Sequence, residues 1–514
     1  MTRRTAIRIF LALLVSAPAA SVIAAEGAWL TLAPMPDPRQ EVGVAELNGK
    51  IYVVGGLPST NRVQEYDPAT DTWRFRAPLP VAVDHPAAAS AGGKLYVIGG
   101  YYDPASDRWT AKVAMPTARG APAAAVIAGK IFVAGGTSAT GRDLEAYDPA
   151  ADTWMRLAPM PTGRNHLAAG AIGGKLYVAG GRPGNLGVLE IYDPGTNAWT
   201  AGASLPTPRS GLAGAVVRDR LYTFGGEGNP ASPIGIFKET EVYDPRSDAW
   251  RSLDPMPTPR HGVGASVIGN RIFVPAGATQ QGGGSQSGAN DAFVVQPEKL
   301  YFAHFAAGQG IATETLLGNL SETLASLMTV ELLDREGVPL EADLGGIVRS
   351  RATVTVPALA AASLRSRDTA SPLAVGSVLV SSELPATGTV LFTSRAPGFR
   401  GTAGVGASPP LLRFFAPVER DSSAGISTGI ALANTSARSV TVTLTLRDGS
   451  GRAVATRQLE LAAFGQNASF LEQIFAGTAA SLRGSVTATS TGPLVAIALR
   501  FTGDEFATLP VTGY

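Results

Sequence analysis

Leu176–Trp199 reads LYVAGGRPGNLGVLEIYDPGTNAW. A short apolar run, a Gly-Gly pair, a variable loop, a second run ending in Tyr-Asp-Pro, and a Trp follow one another. Met160-Pro161-x-x-Arg164 stands just upstream. Working outward, the Gly pair returns at Gly55, Gly99, Gly135 and Gly225, weakened to Ala276-Gly277, and Tyr-Asp-Pro returns at Tyr66, Tyr102, Tyr147 and Tyr243. All six Trp of the chain fall at this position of the unit: Trp29, Trp73, Trp109, Trp154, Trp199 and Trp250, spaced by 44, 36, 45, 45 and 51. A period near 45 with strand–turn–strand chemistry and a Gly doublet is the signature of a β-propeller.

Each unit holds material for about four short strands. In the fourth they fall near Ala168–Ile172, Leu176–Ala179, Val188–Tyr192 and from Trp199 onward. The first strands are rich in Ala, Gly and Val, which suits the crowded inner position. The Tyr and Trp rings read as packing between neighbouring sheets. Trp29 precedes the first Gly pair, and no Trp follows the last unit, so the strand around Trp29 is expected to pair with that near Ala292–Val295. This closes a ring of six and leaves no free edge. In the second unit Tyr102 follows Gly100 almost directly, so its third strand is expected to be missing or cut to two residues, with no loop before it.

These motifs resemble the kelch repeat, over roughly Ala28 to Val295. The resemblance implies a kelch β-propeller at 26–297, which the count above makes six-bladed; an all-β chain is expected, with two β-sandwich modules, 298–408 and 409–514, following. Past Pro297 the Trp vanish and alternating stretches such as Val440–Leu446 take over, a half-buried strand pattern. Gly310–Thr313 and Leu317–Ser321 match Gly425–Thr428 and Leu432–Ser436. This second repeat resembles tandem immunoglobulin-like modules.

Residues 1–25 read as a signal peptide: Arg3, Arg4 and Arg8, an apolar run Ile9–Val15 too short to span a bilayer, then small residues. The expected location is secreted, periplasmic or cell-surface. Net charge is +1, which gives no electrostatic reason for nucleic acid as a partner, and no later run is long enough for a membrane span. There are no cysteines, so neither disulfides nor thiolate metal sites are available. Leu509–Gly513 spells a sortase motif without the apolar segment and basic tail that sorting needs, and reads as a strand end.

For chemistry, the four His are His85, His166, His261 and His304. Without a Cys the crosslinked copper centre of galactose-oxidase-like propellers cannot form, and neither metal nor cofactor is expected. The crossing between units carries Arg39, Arg119, Arg164, Arg209 and Arg260, with Val83 in the second unit and His85 two residues on. Together with His85, His166 and His261 these arginines are the candidate ligand-binding set, at the rim of the channel. An arginine ring suits carboxylates or sulfates; the other reading is that each Arg staples its own blade. The long loops 227–238 and 278–290 are expected to form walls on that face. A binding protein for an acidic glycan or protein ligand is the leading reading. The alternatives are a sugar-processing enzyme resembling N-acetylneuraminate epimerase or mutarotase, with Glu41, Glu46 or Glu227 as acid/base groups, and a purely structural surface protein.

Overall fold

The computed structural model describes residues 27–98, 100–321, 325–368, 372–395, 401–503 and 505–514. The expected signal peptide lies outside these residues. The chain divides into two compact units, residues 25–298 and essentially 299–514.

Among the described residues, the first unit contains six antiparallel four-stranded sheets, as a β-propeller requires. The fourth repeat folds as Ala168–Ile172, Lys175–Ala179, Leu189–Asp193 and Ala198–Gly202, paired in sequence order. One sheet is built from both ends of the unit. Ser266–Ile268, Arg271–Pro275 and Asn290–Val295 are completed by Gly27–Leu32, with Trp29 opposite Phe293.

The repeated aromatics join consecutive sheets. Tyr66, Tyr102, Tyr147, Tyr192 and Tyr243 are buried, and each lies 5.0–5.3 Å from the Trp of its own sheet. Each indole N–H donates to a carbonyl just outside the preceding sheet: Trp73 to Ala33, Trp109 to Ala77, Trp154 to Val113, Trp199 to Ala158, Trp250 to Ala203 and Trp29 to Asp254. A ring that fills the wedge therefore also satisfies its polar atom across it.

The second sheet corrects the expectation of a missing strand. Gly100–Asp103 is a four-residue third strand, in register with Lys94–Val97 and Arg108–Ala111. Its physical basis is a hairpin: only two residues separate Val97 from Gly100, and a two-residue connection is enough to join antiparallel strands. The loop before the strand is absent, as expected.

In the second unit, Glu298–Ala307, Ala374–Ser382, Ser326–Leu333 and Arg351–Val356 make one sheet, while Ile311–Asn319 lies within another. Residues 411–513 form an eight-stranded sheet around the 22-residue strand Ser481–Thr502. The internal repeat has a structural counterpart. Thr313 Oγ1 exchanges hydrogen bonds with the backbone of Ala306, as Thr428 does with Glu419. Asn319 and Asn434 donate to the carbonyls of Val356 and Pro357 and of Arg438 and Ala462. Phe302, Val330, Val378, Ala431, Val495 and Ile497 share one hydrophobic cluster, so residues on both sides of position 408 contribute to one core.

Candidate functional site: the mouth of the central channel

The crossings that enter the first strands meet in a closed cycle of backbone hydrogen bonds. Glu41 N donates to Gly262 O, Gly262 N to Gly211 O, Gly211 N to His166 O, His166 N to Ala121 O, Ala121 N to His85 O and His85 N to Glu41 O, all at 2.7–3.0 Å. Every member lies two residues beyond the arginine position. Every member has φ between 53° and 65°. That region favours glycine, and two members are glycines. Their lack of a side chain also makes room: a Cβ on Gly262 would stand 2.8 Å from Glu41 Oε1.

The arginines lie beneath this cycle. Arg39, Arg164, Arg209 and Arg260 are at most 1% exposed, and the Arg119 side chain is fully buried. Each engages its own sheet. Arg119 binds the Gly135 carbonyl at 2.6 Å and Glu145; Arg164 binds Glu190 and the Val178 carbonyl; Arg209 binds Glu241 and the Gly225 carbonyl. Arg260 binds Asp291 and the Val274 carbonyl, each at 2.7 Å. Arg39 finds Gln64 Oε1 at 2.8 Å where the others find a third-strand carboxylate, and takes the Gly55 carbonyl, with Asp37 Oδ2 3.8 Å from its Nε. Burial lowers Arg39 to about 10; it also lowers Arg164, Arg209 and Arg260, against the opposing pull of their carboxylates. This corrects the placement of the five guanidiniums at the rim: they are bonded to strand carbonyls and third-strand side chains.

What reaches the mouth is the side chains of the cycle and their neighbours. His85 Nε2 lies 3.6 Å and His166 Nε2 3.9 Å from Glu41 Oε2, and the two imidazoles meet edge to face at 5.1 Å. His261 Nδ1 lies 3.7 Å from Glu41 Oε1 and 3.5 Å from Glu227 Oε2. Arg182 donates to Glu227 at 2.6 Å and to His166 Nε2 at 2.7 Å. Burial raises the Glu41 carboxyl above its ordinary range, with His85 and His261 opposing. Burial, with the Arg182 charge next, lowers His166 to about 3.

Bridges Gln40–Leu57, Asn165–Arg182, Ser210–Glu227 and His261–Ala278 tie the crossings to the segments after the Gly pairs. The loops therefore open on the mouth face. Those of the fifth and sixth units adjoin, with Gln281 N donating to Ile234 O at 2.9 Å and Gly282 N to Glu227 Oε2 at 3.2 Å. Glu46 stands apart, accepting from Gly49 N across a turn at 2.7 Å. His304 lies on Glu298–Ala307 in the second unit. Arg182 was missed in the sequence because it follows a Gly pair, where the repeat varies most; its bridge to Asn165 brings it to the mouth.

Sheets of this form, stapled by a recurrent arginine, define a kelch-type β-propeller. The KLHDC2/KLHL20/DRC7 Kelch-repeats domain model matches residues 102–277 and the Kelch motif model residues 38–80, so kelch repeats are present in this chain. It is 31% identical over 87 residues to Kelch-like protein 9 of Mus musculus, covering 15% of this chain and 14% of that protein. To Kelch-like protein 13 of Homo sapiens it is 30% identical over 87 residues, covering 15% and 13%. The matched stretch is thus about one-seventh of the length of these relatives. A solved structure titled "Structure of YjhT" aligns with TM-score 0.44 and 17% identity, covering 51% of this chain and 96% of the other.

Proposed function

We propose that this chain is an exported six-bladed kelch propeller that binds a ligand at its channel mouth, with immunoglobulin-like modules following. The six-member backbone cycle and the sheet shared by Gly27–Leu32 and Asn290–Val295 support the blade count. The basic–apolar–small order of residues 1–25 supports export. The observation that carries the ligand reading is the convergence of Glu41, His85, His166, His261, Glu227 and Arg182 on one end of the channel. Arg182, with a side chain 41% exposed, is the cation for an acidic group on a glycan or peptide, and the carboxylates and imidazoles serve hydroxyls or amides. The buried arginines hold the cup rather than the ligand. A glycan and peptide array probed with the full chain tests this. Retention of an acidic member should fall with Arg182→Ala and with rising salt; retention indifferent to Arg182→Ala excludes this cup.

A second reading, sugar processing, is favoured by one feature. The Glu41 carboxyl stands within 4 Å of nitrogens of three imidazoles, a group that can pass a proton to and from an anomeric hydroxyl. Anomer exchange of reducing sugars followed by NMR, with Glu41→Gln as control, decides it. No acceleration over buffer removes it.

A further inference from the structure

The three imidazoles at the mouth are each oriented by an acceptor on their outer nitrogen. His85 Nδ1 faces Asp84 Oδ1 at 2.9 Å, His166 Nδ1 faces Asn165 Oδ1 at 2.6 Å, and His261 Nε2 faces the Gln280 carbonyl at 2.9 Å. Those partners accept, so the outer nitrogens carry the protons. In the neutral rings the inner nitrogens then present lone pairs. His85 Nε2 and His166 Nε2 face Glu41, and His261 Nδ1 faces both Glu41 and Glu227, which are acceptors as well. The His261 side chain is 2% exposed, and its Nδ1 has no hydrogen-bond partner. Arg182 meets part of this demand through His166 and Glu227. It does not reach the inner nitrogens of His85 or His261 in this arrangement. Converging acceptors in a partly buried cup are relieved by a proton or a cation between them; Arg182 supplies a cation at His166 and Glu227, and a metal ion would supply one on the Glu41–His85 side.

We infer that Glu41, His85 and His166 form a binding site for a divalent transition-metal ion of the zinc type. One carboxylate oxygen and two imidazole nitrogens lie within 4.8 Å of one another. Tetrahedral ligands at about 2.0–2.1 Å from zinc stand roughly 3.4 Å apart, so the 3.6 and 3.9 Å separations from Glu41 Oε2 need only small side-chain movements. Binding requires Arg182 to release His166 Nε2, which it meets at 2.7 Å; its hydrogen bond to Glu227 can remain. Acceptors behind ligating imidazoles are the usual means of fixing their tautomer, and Asp84 and Asn165 supply them here. The backbone cycle fixes where these three side chains start: Glu41, His85 and His166 share with Ala121 a φ of 53–54°, and the cycle brings their Cα atoms round one channel end. Three ligands leave a fourth position open for water or a ligand group.

The site shares the mouth with the ligand reading above but not its test, because the metal alone is the probe. Full chain stripped with chelator is titrated with Zn²⁺ by calorimetry, and with Co²⁺ to follow the visible bands of a tetrahedral centre. One equivalent should bind. Glu41→Gly and His85→Gly, which suit the local backbone and should fold at least as well, should each weaken binding by roughly 100-fold or more, beyond the 10–100-fold typical of outer-shell losses. Glu41→Gln, which keeps the shape and removes the charge, should weaken it too. His304→Asn should change nothing. Absence of saturable binding overturns the site, as does binding that survives the Glu41 and His85 variants or is lost with His304→Asn. Failure of the metal titration leaves retention of an acidic glycan or peptide through Arg182 standing, so the two readings fail separately.

Discussion

Arg209 shows what the recurrent arginine does. It and Glu241 are fully buried, and its guanidinium also reaches the carbonyls of Gly225 and Thr207 and the hydroxyl of Thr223. Removing one member of such a pair leaves an uncompensated buried charge, at a cost of about 3–5 kcal/mol. Arg209→Ala should therefore lower unfolding stability in urea by about that amount, and Arg209→Met with Glu241→Leu should recover most of the loss. A change below about 1 kcal/mol for Arg209→Ala would show that the staple is dispensable. The recurrence of this residue was legible in the sequence; its depth was not. Met-Pro-x-x-Arg fixes where the Cα lies in each unit, but the side chain turns away from the rim because third-strand carboxylates and strand carbonyls await it below. Glu145, Glu190 and Glu241 occupy matching strand positions, so the pairing was present in the repeat as a second column. Conversely, His85 and His166 were legible as candidates, and their equivalence with Glu41 is visible once the offset from the arginine is counted. That all three carry φ > 0 depends on the backbone cycle, which no single unit encodes.

His304 offers a test at residue scale in the second unit. It packs against Phe392 at 5.3 Å and meets Gln466 Nε2 at 3.3 Å, and burial lowers it to about 4. An unfolded chain protonates this ring near its ordinary value of about 6.5. Between these values the unfolded state binds more protons, so stability rises with pH there. The contribution is complete above about 6.5 and should be lost as pH falls toward 4. Unfolding followed by circular dichroism should thus show a shallower acid limb for His304→Gln than for the parent. Identical limbs would place the acid sensitivity elsewhere.

Among elements, Gly27–Leu32 matters most, because it closes a sheet whose other three strands come from the far end of the unit. Trp29 packs on Phe224 and Phe293 at 5.5 and 5.3 Å and ties itself to the Asp254 carbonyl. Deleting residues 27–33 bares the edge of Asn290–Val295 and empties the wedge between two sheets. The melting temperature should fall sharply, and the protein should aggregate on heating through the exposed edge. An unchanged melting temperature would mean that the ring does not depend on its clasp. This element was legible from counting alone, since six Trp against five complete units leave one strand to be shared. The third strand of the second sheet was not. A short spacing reads as a deletion, but the chain shortened the connection and kept the ladder, because the hydrogen bonds of Lys94–Val97 and Arg108–Ala111 both need a partner between them.

At the scale of the whole molecule, the position of the cores decides where the chain can be cut. The hydrophobic clusters of the propeller draw on residues up to Val295. The cluster around Phe302 and Val378 draws on Ala431, Val495, Ile497 and Leu499. A break at 298/299 thus leaves each set of apolar side chains with its partners. A break at 408/409 strips Ala431, Ala433 and Val495 from those they bury, and at about 25 cal/mol per Å² of apolar area such exposure is comparable with the lower end of ordinary domain stabilities of about 5–15 kcal/mol. The sequence repeat suggested two β-sandwich modules, 298–408 and 409–514, because it records two similar strand sets, and periodicity carries no information on which face of one set covers the other. Residues 26–298 and 299–514, expressed separately, should each be monodisperse and melt cooperatively. Residues 299–408 and 409–514, expressed separately, should bind a hydrophobic dye or aggregate. If the two halves of the second unit prove soluble and cooperative alone, the shared cluster is a contact between finished domains rather than one core.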